Sequence, residues 1–354
     1  MFLNTALEIL LGVGLLFGGG ELFIQGAVSF ALILSIPQLV IGLTVVSLGT
    51  SAPELFVSLI SVFNGSDSLA VNNVVGSNIF NVMVVLGSSA LVMPLRVESR
   101  LVRRDVPVLL AVSTAVWGMS SAGRITWQAG LSLLLGLVIN TIWELRTARE
   151  ERKKTTDVEP EVTPKNWHWP ILQILGGSFL LTIGSRFLVR GAMIAASLLG
   201  VSEAVIGLTI VSAGTSIPEL AASLIAALRG RTDLAIGNVV GSNLLNQLLV
   251  LGSTAVTSGK LGISVELVLI NRDLPIMIIT TLACMPIFWT RGSISRLEGS
   301  FLVGLYIFYL VDQVLPYTLP TWQDRFRVML LSFVIPAVIV AIIAQSVSYW
   351  RQLR

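Results

Sequence analysis

The 354-residue chain has a single cysteine, Cys284, and a single histidine, His168. No internal disulfide can form, and no CxxC or Cys/His spacing suited to zinc is present. His168 lies in a polar linker, so a histidine-based metal or catalytic cluster is excluded. Charge is scarce too: 12% of residues are charged against 54% hydrophobic, and the mean hydropathy is +0.85. A water-soluble domain of this length needs far more polar surface, so the composition indicates a multi-span membrane protein in a lipid bilayer. The net charge of +3 gives no sign of a nucleic-acid partner. The N-terminus has neither a basic n-region nor a small-residue cleavage site, so its apolar run reads as a first span rather than a removed signal peptide.

Apolar runs near the spanning length of about 20 residues fall at 5–30, 38–63, 69–94, 106–121, 127–146, 170–199, 203–228, 234–257, 274–290, 297–315 and 328–349. The fold class expected is therefore all-α and multi-span. A charged, Pro/Thr-containing loop at 146–169 divides the chain into 1–145 and 170–315, with an extra helix at 326–350. If that loop is cytoplasmic, sixteen Lys/Arg lie inside and five outside, with Arg186 and Arg190 left within the sixth span. The bias sets the N-terminus outside and the C-terminus inside a cell membrane.

The halves are related. GTSAPEL at 49–55 returns as GTSIPEL at 214–220, and 39–87 aligned with 204–252 gives 29 identities in 49 positions. NNVVGSNIFN at 72–81 faces GNVVGSNLLN at 237–246, and RDVP at 104–107 faces RDLP at 272–275. This is a duplication. With five spans in each half, an odd number, the second half enters the membrane inverted. Inverted repeats with helices interrupted at matching places are the sequence signature of secondary transporters, with binding at the midplane.

Each interruption carries chemistry. Pro53 has no N–H for the carbonyl of Gly49, and Pro218 has none for Gly214. Freed carbonyls at membrane depth need protein, water or an ion. Glu54 and Glu219 follow, beside the hydroxyls of Thr50, Ser51, Thr215 and Ser216. The next spans place Ser77 and Asn81, and Ser242 and Asn246, four apart on one helix face. All are hard oxygen donors of the kind that suit Ca2+ and Na+. The carbonyls of Ser47, Gly49, Ser212 and Gly214 are further candidates, whereas the hydroxyls of Ser47, Ser58, Ser212 and Ser223 read as packing groups. Gly76 and Gly241 are expected to let these helices approach closely. The plainer alternative, a protonated glutamate acting as interhelical glue, is weakened by its occurring twice in the same context. Asp105 and Asp273, each two residues before a proline, read as helix N-caps. Glu21, Arg186 and Arg190 are expected to snorkel or to pair with one another.

With these residues in view, the chain resembles the sodium/calcium exchangers of the cation/calcium antiporter superfamily, of prokaryotic type. GTSAPEL…GSNIFN and GTSIPEL…GSNLLN carry the resemblance, which spans residues 1–315. It implies two inverted five-helix halves, with spans 1 and 6 sliding across a core of spans 2, 3, 7 and 8. It implies cation ligands at Thr50, Ser51, Glu54, Ser77, Asn81, Thr215, Ser216, Glu219, Ser242 and Asn246, with Ca2+ and Na+ as transported ions and no cofactor. It also implies three Na+ per Ca2+. Potassium-dependent members, and some prokaryotic ones, carry aspartate where this chain has Asn246, and proton-coupled relatives carry an acid where it has Gly76 and Gly241. The first repeat departs from the common pattern, with Asn72–Asn73 before VVGSN. The expected activity is thus electrogenic, K+-independent Na+/Ca2+ antiport. Alternatives are Ca2+/H+ or other cation antiport on the same fold and, further off, a cation channel. No nucleophile–base pair for an enzyme is present in the spans. The last helix lies outside the duplication and is expected to serve packing or a homo-oligomeric contact.

Overall fold

The computed structural model describes residues 2–154, 167–289 and 292–330, with 332, 336 and 340 beyond them. The first half is α1 (Phe2–Leu34), α2 (Gln38–Thr50), α3 (Ala52–Phe63), α4 (Asp67–Val92), β1 (Leu95–Arg96), α5 (Val106–Ser120), β2 (Arg124–Ile125) and α6 (Trp127–Lys154). The second repeats it as α7 (His168–Leu198), α8 (203–214), α9 (Ile217–Leu228), α10 (Thr232–Thr257), β3 (Ile263–Ser264), α11 (Leu274–Trp289), β4 (Ser293–Ile294) and α12 (Arg296–Thr318). Among the described residues, six helices (α1, α4, α6, α7, α10 and α12) are long and apolar enough to cross a membrane, and the bent pair α2/α3 makes a seventh. The expected span at 326–350 lies almost wholly outside the described residues.

Helices α1 and α7 occupy equivalent places and run antiparallel, as inverted repeats require. Their contact is a glycine zip. Gly12, Gly19 and Gly26 on α1 face Leu188, Leu181 and Ile174, while Gly177, Gly184 and Gly191 on α7 face Phe23, Leu16 and Ile9. Both sets are spaced by seven residues and are related by the repeat offset of 165. A Cβ at Gly184 would lie 2.9 Å from the backbone nitrogen of Leu16, so only glycine permits this approach. The strands repeat the logic. β1 pairs antiparallel with β4, and β2 with β3, so the same small contact between halves is made twice. At the core, α4 and α10 are the most buried helices. Each is entered through a tight turn after the preceding helix, where Gly65 and Gly230 adopt φ of 74° and 70°.

Two sequence expectations change here. Asp105 is not an N-cap: it has helical φ/ψ of −71° and −42° and makes no capping bond. Residues 101–105 form a widened π-type turn running into α5, and residues 269–273 do the same before α11. Asp105 instead lies 3.9 Å from Arg100 and 3.6 Å from Arg104, both of which also pair with Glu144 on α6. Asp273 accepts from Arg272 at 3.0 Å, from Tyr309 at 3.1 Å and from Gln313 at 3.2 Å. The two acids tie the fourth and ninth spans to their neighbours α6 and α12. Nor do Glu21, Arg186 and Arg190 pair with one another. Glu21 meets Arg229 at 2.8 Å, and Arg190 faces Glu8 at 3.6 Å.

A candidate cation site between the two broken spans

Helices α2 and α3 meet at 44° across Ser51, whose φ/ψ of −83° and 4° leave the helical ladder. Ser216 does the same before α9, with −93° and 6°. Pro53 and Pro218 are the cause, each lacking the N–H that would continue the bonding. The freed carbonyls are not left bare. Ser178 donates to the carbonyl of Gly49 at 2.6 Å and Ser185 to that of Gly214 at 2.7 Å, both from α7. Gly49 and Gly214 thus already hold a protein partner, one of the three expected for a freed carbonyl, and each keeps a second lone pair. The Ser47 carbonyl is taken by the Ser51 N–H at 2.9 Å and faces the Thr50 hydroxyl at 3.4 Å. Ser47 is buried and Ser212 exposed, so these equivalent positions are unequal.

Glu54 and Glu219 are fully buried, and each binds the opposite break. Ser216 donates to Glu54 Oε1 at 3.2 Å and Ser51 to Glu219 Oε1 at 3.1 Å. Thr50 donates to Asn238 Oδ1 and Thr215 to Asn73 Oδ1, both at 3.1 Å. Ser242 and Ser77 sit 3.5 Å from those two threonine hydroxyls. Asn81 and Asn246 each open a widened π-type turn, 81–86 and 246–251, a feature frequent at functional sites. Helix α3 packs on the turn that begins at Asn246, and α9 on the one that begins at Asn81. The ten residues expected from sequence are therefore brought together around the crossing of the two halves. Of the two glycines expected to allow close approach, Gly241 does so against Ser47 and Leu43, whereas Gly76 faces open space.

Four oxygens in this cluster are buried without a hydrogen-bond partner: Glu54 Oε2, Glu219 Oε2, Asn81 Oδ1 and Asn246 Oδ1. Buried polar atoms are rarely left so, because each costs roughly 1–3 kcal/mol. Two are carboxylate oxygens, and the set contains no buried cation to balance them. Among the described residues no group of three or more His, Cys, Asp or Glu occurs, so any ion held here would rest on two carboxylates filled out by amides and hydroxyls. That is a donor set for a hard cation. A cavity of about 590 Å3, lined by Pro53, Phe56, Ser185, Arg186, Thr215 and Pro218, lies beside the two breaks. Gly20 of α1, the counterpart of Ser185, presses on the Ile225 side chain.

Sequence reasoning missed six residues of this network. Asn73 and Asn238 donate to the carbonyls of Glu54 and Glu219 and to the hydroxyls of Ser58 and Ser223. Asn78 and Asn243 bond across the halves. All four asparagines fall at the repeat offset, a signal that was there to be used. Ser178 and Ser185 have Val13 and Gly20 as counterparts, so the duplication could not mark them.

A sequence profile for "Sodium/calcium exchanger protein" matches residues 5–145 and 169–315. The protein named CaxA from Alkalimonas amylolytica is 37% identical over 317 residues, covering 87% of this chain and 98% of its own length. The sodium/calcium exchanger MaX1 of Methanosarcina acetivorans is 29% identical and covers 86% of this chain and 97% of its own. A solved structure of the sodium-calcium exchanger NCX_Mj, soaked with 10 mM Na+ and 10 mM Sr2+, superposes with a TM-score of 0.73 at 29% identity, covering 87% of this chain and 97% of that one.

Proposed function

From the premise that this chain belongs to the sodium/calcium exchanger family and is a multi-pass cation/calcium antiporter, we propose that it exchanges Na+ for Ca2+ by alternating access. The observation that carries this reading is the set of four buried, unpartnered oxygens bearing two formal negative charges. One Ca2+ balances that charge and draws on the neighbouring hydroxyls of Thr50, Ser51, Ser77, Thr215, Ser216 and Ser242 to approach the six to eight oxygens it prefers. The glycine-lined α1/α7 pair fits a unit that slides over the core. In this reading, which the Lys/Arg bias supports, the N-terminus lies outside and the charged 146–169 segment inside the cell membrane, with residues 1–145 and 170–315 as the two repeat units. The helix expected at 326–350 serves packing or a homo-oligomeric contact. A chain truncated after residue 320 that inserts and folds is therefore expected to retain exchange, as read by ion flux. Loss of flux from such a folded truncation would contradict this.

The charge of the core bears on the electrical behaviour. Positions 81 and 246 are both amides, so the core carries two negative charges. Two Na+ balance it, and a third adds excess charge. Exchange at the three Na+ per Ca2+ that the family resemblance implies moves one charge per cycle, coupled to the membrane potential by about 2.3 kcal/mol per 100 mV. Exchange in proteoliposomes is expected to change rate with clamped potential, in opposite senses for the two directions. K+ is expected to act only through that potential. The test of the reading is 45Ca2+ uptake under imposed Na+, K+ or H+ gradients. Uptake driven by Na+ alone supports it, whereas uptake driven by protons and indifferent to Na+ establishes Ca2+/H+ exchange instead.

A further inference from the structure

Asn78 and Asn243 are buried where α4 and α10 cross, and neither is among the ten proposed ligands. Each donates its side-chain N–H to the backbone carbonyl of the other, at 3.3 Å from Asn78 to Asn243 and 3.2 Å in return. Each then accepts through Oδ1 from a ligand amide: Asn246 donates to Asn78 at 3.2 Å, and Asn81 to Asn243 at 3.1 Å. A backbone carbonyl can only accept. The group that Asn78 turns to it must therefore be its NH2, and Asn78 Oδ1 must face Asn246. The second N–H of Asn78 points at Met277 Sδ, 3.6 Å away, which agrees with that orientation. Asn246 then has to present NH2 to Asn78, which turns its own Oδ1 the other way, where it is buried without a partner. The same chain of constraint runs from the Asn78 carbonyl through Asn243 to Asn81.

We propose that Asn78 and Asn243 are positioning residues that lock the amides of Asn246 and Asn81 with their oxygens toward the transported cation, and that this lock makes positions 81 and 246 selective for a neutral amide. The inference rests on the ligand reading above. Its second half follows from the first. A carboxylate at 246 sets an oxygen against Asn78 Oδ1, acceptor to acceptor, with no hydrogen between them. Asn78 cannot turn over to relieve this, because its oxygen would then face the Asn243 carbonyl. An added negative charge at 246 is therefore offset by repulsion while Asn78 stands, and is released when Asn78 is removed.

The test is Ca2+ binding by calorimetry on the purified full-length chain for Asn78→Ala, Asn246→Ala, Asn246→Asp and the two doubles, with ion-free thermal melts reporting folding. Asn78→Ala is expected to weaken Ca2+ binding about tenfold, but by less than about twofold when Asn246 is already alanine, since it acts through that amide. Asn246→Asp alone is expected to bind Ca2+ no tighter than wild type, yet to tighten binding about tenfold when combined with Asn78→Ala. A residue that merely fills space does not reverse the effect of its neighbour in this way. If Asn78→Ala does not fold, Asn78→Ser replaces it in the same cycle. Should Asn246→Ala weaken binding while the two effects simply multiply, or should Asn246→Asp alone tighten binding, the lock is overturned and the ligand reading stands. Unchanged binding in Asn246→Ala overturns the ligand reading at that residue and the lock with it.

Discussion

Glutamine at position 54 or 219 is expected to abolish Ca2+ exchange while the protein stays folded. The substitution keeps the shape of the side chain, and its carbonyl still accepts from Ser216 or Ser51, as Oε1 does now at 3.2 and 3.1 Å. What it loses is one of the two formal charges, and it turns an NH2 toward the place of the unpartnered Oε2. Charge interactions in a desolvated site are strong. Loss of one anionic ligand is expected to raise the Kd for Ca2+ at least about a hundredfold, about 2.7 kcal/mol. Removing a neutral donor by Ser216→Ala leaves both charges in place and is expected to cost less, about tenfold in Kd, about 1.4 kcal/mol. Ca2+ binding measured on the purified variants decides this. Wild-type affinity in Glu54→Gln or Glu219→Gln would make the buried pair structural.

The second large effect concerns the α1/α7 contact. At Gly177 an added Cβ meets the nitrogen of Phe23 at 2.6 Å and its Cα at 2.7 Å, so backbone rather than a mobile side chain is in the way. Gly177→Ala is expected to destabilise by about 1–3 kcal/mol, the range of core overpacking, and to stop exchange by parting the pair. Gly14 lies on the same helix as Phe23 and an added Cβ there meets nothing within 4 Å. Gly14→Ala is expected to be neutral or to stabilise by up to about 1 kcal/mol through the better helix propensity of alanine. Thermal midpoints in detergent compare the two. Equal shifts for Gly177→Ala and Gly14→Ala would mean that the close approach contributes nothing.

Much of this arrangement was legible in the sequence, and duplication is the reason. A proline and a glutamate in an apolar run are ambiguous once. Their recurrence at 53–54 and 218–219, with GSN motifs following at matched distance, fixed the two breaks, the inversion of the halves and the residues gathered at the crossing. The widened turns were invisible because NVMVVL at 81–86 and NQLLVL at 246–251 read as ordinary apolar helix. The N-cap expectation for Asp105 failed because the turn at 101–105 carries the helix back past Pro107, so the proline sits inside helical structure rather than opening it. The asparagine network depends on partners 162–168 residues away, which local spacing does not reveal. The hold of α7 on both breaks, through Ser178 and Ser185, is asymmetric and so leaves no trace in a repeat.

Anomalous X-ray diffraction from crystals of this chain soaked in Sr2+, then back-soaked in Na+, tests the central claim most directly. The account predicts one strong Sr2+ peak within ligand distance of Glu54 Oε2 and Glu219 Oε2, near Asn81 Oδ1 and Asn246 Oδ1, that fades as Na+ rises. A peak elsewhere that Na+ displaces, with none between the two glutamates, would contradict it.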